Sequence, residues 1–156
     1  ATKLNDAIAT LKAQPDLTTV QQIAIDTYAA QMQAAEKTRE SAVDAARSTY
    51  RTELTKVVQQ HQAALSTAVT VFQSSVSTAF TTAIGNCADA NAKTALKTDI
   101  ASAKTTFASA RESSKVTGQI SQLMQARNTA IKNADATFAK AAASYSAALA
   151  TVLGVD

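Results

Sequence analysis

The stretch LTTVQQIAIDTYAAQMQAAEKTRESAVDAARSTYRTELTKVVQQHQAALSTAVTVFQSSVSTAFTTAI, residues 17–84, decides the fold. Pro15-Asp16 stands before it, Gly85-Asn86 after it, and neither glycine nor proline lies between. Those two residues are the usual punctuation of structure, so the run reads as one uninterrupted element or very few. Its mixture of Ala, Gln, Lys, Arg, Glu and Leu with Ser and Thr favours helix. As a single helix it would extend roughly 100 Å at 1.5 Å per residue. The other segments are expected to pack onto it.

Apolar or small residues recur along this run at steps mostly of three and four: Val20, Ala24, Tyr28, Met32, Ala35, Ala42, Val43, Ala46, Tyr50, Leu54, Val57, His61, Leu65, Ala68, Phe72, Val76, Ala79 and Ala83. That spacing is coiled-coil-like. Charges crowd the middle, from Glu36 to Lys56, and after Lys56 none occurs until Asp89.

Outward from the run, residues 2–14 predict a short helix with Leu4, Ile8 and Leu11 on one face. Pro15 ends it, and Asp16 is placed to cap the long helix. On the other side, residues 85–90 read as a turn and residues 91–153 as a second long arm, with Asp89 or Asn91 as its cap. One position repeats every seven residues through Leu96, Ala103, Ala110, Thr117, Met124, Ile131, Phe138, Tyr145 and Val152. Gly118 interrupts that arm, with Thr117 available as a new cap, so a kink is expected there. Gly154 closes the helix.

Two arms of nearly equal length around one short turn predict an all-α fold: an elongated antiparallel helical hairpin, coiled-coil-like, plus the short first helix, in a single domain spanning 1–156. The alternative is a compact three- or four-helix bundle, since a two-helix hairpin buries little by itself. A repeat of the form aliphatic-x-x-Ala-x-x-Thr-aromatic occurs at Val43–Tyr50, Ile100–Phe107 and Ile131–Phe138. A shared seam would set Val43 near Phe138 and Tyr50 near Ile131.

Composition narrows the function classes. Hydrophobic residues make up 46 %, but alanine supplies about half of them and aromatics only 4 %, which suits thin helical seams over a large globular core. A net charge of +3 is mildly basic, without the aromatic interleaving or motif that nucleic-acid binding uses. The lone Cys87 allows no intramolecular disulfide. No run is apolar and long enough to span a membrane. A start at Ala1-Thr2-Lys3, with abundant Thr, Ser, Gln and Asn, suits a mature exported or cell-surface protein.

Chemistry-bearing residues are sparse. His61, the only histidine, lies in the apolar stripe without the carboxylates that a metal or a general base would need nearby, and reads as a polar seam residue. No catalytic residue, cofactor site or metal site is expected, and the protein reads as a non-enzyme. Arg39 and Arg127 fall on or beside the stripe, where polar residues fix register. Lys93, Lys97, Lys104, Arg111 and Lys115 fall within about 40° of each other on one helical face, a ridge of roughly 33 Å. The charge-free stretch of the first arm offers them no carboxylate. The ridge therefore predicts an anionic partner: acids of another copy (Glu36, Glu40 and Asp44 are available), an acidic polymer or a lipid surface. Ser66, Thr70, Ser74, Ser77 and Thr81 form a hydroxyl strip on the charge-free stretch, a second candidate contact.

In composition, these alanine- and threonine-rich amphipathic helices resemble those of granule-coating phasins and helical antifreeze proteins. The eleven-residue threonine spacing of the latter holds at Thr27, Thr38 and Thr49 and then fails. The leading expectation is a self-associating structural subunit of a surface scaffold or filament. The alternatives are a peripheral amphipathic coat on lipid or polymer granules, and an ice- or anionic-polymer-binding helical protein.

Overall fold

The computed structural model describes residues 2–155, with side chains from Asn5 onward, so Leu4 on the expected apolar face of the first helix lies outside the described side chains. Four helices follow one another: α1 (Thr2–Lys12), α2 (Thr19–Gly85), α3 (Ala92–Ser113) and α4 (Thr117–Leu153). No strand occurs among the described residues, and the all-α hairpin reading holds.

The run from 17 to 84 is one uninterrupted helix, α2, shifted by two residues at its start. Its cap is Thr18, not Asp16. The Thr18 hydroxyl oxygen accepts from the Gln21 N–H at 3.3 Å, while the Gln21 side-chain oxygen accepts from the Thr18 N–H at 2.9 Å. This reciprocal box satisfies two N–H groups that the first turn would otherwise leave unpaired. Asp16 lies two residues too early for that geometry. Thr18→Ala is expected to lower stability by about 1 kcal/mol in urea unfolding, with Thr18→Ser close to wild type.

Gly85 remains helical. The only glycine with positive φ is Gly154, so α2 ends in a sequence of turns in place of a left-handed cap. Asn86 N–H still reaches the Thr82 carbonyl at 3.1 Å, and Asp89 N–H the Asn86 carbonyl at 2.9 Å. Asn91 holds the N-cap position of α3 with no side-chain cap bond; instead the Asp89 carboxylate accepts the Asn91 N–H at 2.8 Å.

The expected break near Gly118 falls at residues 114–116, and Thr117 is already helical. The Ser114 hydroxyl donates to the Arg111 carbonyl at 2.9 Å, one of the local bonds by which serine competes with helix continuation. At the end of α4, Gly154 takes φ of +71° and Val155 N–H reaches back to the Ala150 carbonyl at 3.1 Å. That is the Schellman closure expected of a glycine there.

The helices form two compact units. In the first, which takes the chain up to Tyr50 and from Gln125, α1 packs with the start of α2 and the end of α4. Ile8, Ile25 and Leu149 make its buried cluster, with Leu11, Leu17, Tyr28 and Leu153 against it. Lys12 of α1 pairs with Asp26 of α2.

Here the seam departs from the expected stripe. Ile25, absent from that stripe, is fully buried, while Val20 is 67 % exposed. Ile25 leads to Met32 by a step of seven and meets Ile8 and Leu149; α1 selects it by covering it. At the far end of α4, Val152 is exposed and Leu149 and Leu153 take its place. Strict seven-residue spacing drifts by about 20° per heptad on a straight helix, and Met124 and Thr117 leave the buried line for the same reason.

The second unit (Arg51–Met124) holds the rest of α2, the turn, α3 and the first turns of α4. Ala68, Ala79 and Ala103 are its buried residues, with Phe72 of α2 against Phe107 of α3 at 5.6 Å between ring centres.

Candidate functional site

Alanines on both sides of the α2–α3 seam bring the two helices of the second unit close and leave their flanks to define its surface. On one flank Ser74, Ser75, Thr78 and Thr82 of α2 meet Asp99, Ser102 and Thr106 of α3 around an open polar cleft of about 400 Å³. Asp99 is the only acid lining it, and no spacing signal in the sequence singles that residue out.

The opposite flank carries the predicted basic ridge. Lys93, Lys97, Lys104 and Arg111 are exposed on α3, and none has an ion-pair partner among the described residues. Lys115 is different. It lies in the break after α3, and Glu112 takes its ammonium at 2.6 Å, so it does not extend the unpaired ridge. The predicted hydroxyl strip is exposed throughout, at Ser66, Thr70, Ser74, Ser77 and Thr81. It runs along the outer side of α2, apart from the ridge, and only Ser74 reaches the cleft. Thr70 spends its donor on the Ser66 carbonyl at 3.1 Å.

Sequence reasoning passed over the residues between strip and seam. Val58, Val69, Phe80 and Ile84 are exposed at 39 %, 41 %, 48 % and 73 %. At about 100° per residue they lie on the side of the Ala68–Phe72–Ala79 line away from Ser75, Thr78 and Thr82. The cleft unites the first flanks of both helices. The second flanks, with this apolar shoulder on α2 and the lysines on α3, therefore share the other side.

His61 is a polar seam residue, as expected. Its Nδ1 lies 2.7 Å from the Ser114 carbonyl. A carbonyl only accepts, so Nδ1 carries the proton and donates, tying α2 to the carbonyl that ends α3. His61→Ala is expected to cost about 1–2 kcal/mol in thermal unfolding, and His61→Gln, which keeps a donor, about half of that.

In the first unit both stripe arginines cross the seam. Arg39 Nε donates to Asp135 at 2.6 Å, and its guanidinium lies 5.8 Å from the Phe138 ring centre. Arg127 lies over the Tyr50 ring at 4.8 Å and also donates to Asn128. The partners recorded for Phe138 and Tyr50 are thus Arg39 and Arg127, each one turn before the expected Val43 and Ile131. A flat guanidinium covers an aromatic face while keeping its polar edge in water, which a branched aliphatic cannot do. Beside Arg39 an open cleft of about 490 Å³ is lined half by alanines, with Phe138 and Tyr145 among the rest.

Among the described residues no group of three or more His, Cys, Asp and Glu side chains is placed to hold a metal, and Cys87 is exposed in the turn. No described helix is long and apolar enough to cross a membrane. What the fold and these surfaces define is an all-α protein built on antiparallel helix pairs. No family model, curated protein or solved structure matches the chain.

Proposed function

We propose that the protein is a non-enzymatic structural subunit that self-associates through its helices, in a scaffold or filament outside the cytoplasm. One observation carries this reading. The hydrophobic side chains buried among the described residues are Ile8, Ile25, Met32, Leu149 and three alanines, a small core for a chain of 156 residues. Helices that bury so little gain by covering their remaining apolar surface with further helices. Val20 and Ile23, one turn apart at the start of α2, are 67 % and 60 % exposed and offer such a surface.

Sedimentation across a wide concentration range tests the proposal. The expected result is concentration-dependent association that Val20→Ser with Ile23→Ser weakens at least tenfold. A single monomeric species at the highest concentrations overturns it.

A further inference from the structure

The uneven division of charge between the two units points to a second contact. The second unit holds seven Lys and Arg against four Asp and Glu; the rest of the chain holds eight against eight. The whole net charge of +3 therefore belongs to the second unit. In the first unit Asp26, Asp44 and Asp135 face Lys12, Arg47 and Arg39 of the same chain, so three of its acids already have partners within the chain.

The ridge is also placed against local preference. Lys93 stands in the first turn of α3, where the helix dipole favours a carboxylate, and no acid is present in that turn. Lys97 follows it four residues later, an unfavourable like-charge pair. Both placements are relieved by an external anion.

Charge alone would fit any polyanion. The apolar shoulder beside it narrows the choice. Val58, Val69, Phe80 and Ile84 share the flank with Lys93, Lys97, Lys104 and Arg111, and a solvated polyanion gains nothing from them. We infer that this flank of the α2–α3 hairpin docks on an anionic membrane surface. The lysines and Arg111 lie among the lipid phosphates, and Phe80 and Ile84 enter the boundary with the acyl chains. Neither signal suffices alone, since stable peripheral binding combines apolar burial with attraction to anionic lipid. The contact is peripheral, and it is separate from Val20 and Ile23 in the first unit.

Co-sedimentation with vesicles tests this, at a dilution where sedimentation without lipid shows one species, so that self-association does not enter the result. Wild-type protein is expected to bind phosphatidylglycerol-rich vesicles and not pure phosphatidylcholine. Lys93→Gln with Lys97→Gln and Lys104→Gln should lower partitioning about a hundredfold, at about fivefold per lysine. Phe80→Ser with Ile84→Ser should lower it about tenfold or more. All five residues are exposed, and circular dichroism checks that the variants remain helical.

Equal binding to both vesicle types overturns the inference. So does a shoulder variant that binds like wild type, or tighter binding to inorganic polyphosphate or duplex DNA than to the anionic vesicles. Those last results would make the ridge a site for soluble polyanions.

Discussion

Ile25→Ala is expected to lower stability by about 3 kcal/mol, with urea unfolding as the measurement. Ile25 is the one large side chain with no exposed surface, and it joins α1, α2 and α4 through Ile8 and Leu149. Truncation removes its transfer free energy and leaves a cavity that three helices must close together. Against a total stability of about 5–15 kcal/mol, that is a large fraction. Val20→Ala, at a position that sequence spacing places on the apolar stripe in preference to Ile25, should change stability by less than about 0.5 kcal/mol, because Val20 is already in water. If the two substitutions cost the same, the assignment of Ile25 to the core is wrong. Hydrogen exchange should show the loss of protection in α1 and the first turns of α2.

The second large effect concerns Phe72 and Phe107. Their ring centres lie 5.6 Å apart with planes tilted by 47°, within the range favoured by aromatic pairs. Both rings are half-buried in a seam whose buried members are alanines, so they supply most of its bulk. Phe72→Ala is expected to cost about 2–3 kcal/mol, below the value for a fully enclosed ring. Phe107→Ala should cost a similar amount. A double-mutant cycle should return a coupling of about 1 kcal/mol. Additive losses would mean that each ring packs on its helix without the other.

These two cases mark how far the sequence could be read. Phe107 closed one copy of the repeat and Phe72 stood in the apolar stripe of the first arm, so their helices and approximate levels were legible. The pairing of ring with ring was not, because the repeat suggested aliphatic against aromatic. Ile25 was hidden for a different reason. The start of α2 offers Val20 and Ala24 on one line and Ile25 on another, both at helical spacing. Only α1, arriving from outside the element, chooses between them.

The candidate surfaces divide in the same way. Lys93, Lys97, Lys104 and Arg111 could be placed on one face because α3 is regular between them. Lys115 could not be separated from them until the chain was seen to leave the helix at Ser114. The hydroxyl strip was identified as a line, but its side relative to the ridge depends on how α2 is turned toward α3. The shoulder of Val58, Val69, Phe80 and Ile84 carries no sequence signal of exposure, since valine and phenylalanine at helical spacing ordinarily read as core.

By itself, the sequence determined the helices, the unbroken length of α2, the turn after Gly85, the interruption near Gly118 and the closure at Gly154. All of these rest on bonds between residues three to five apart, which composition and punctuation control directly. Tertiary structure alone decided how each helix is rotated about its axis. It thereby decided which isoleucine is buried, which ring meets which, and that the lysines and the apolar shoulder share one flank. Alanine is the reason: its small side chain offers nearly the same surface at many rotations. The few large residues on the partner helix, and the short α1, select one.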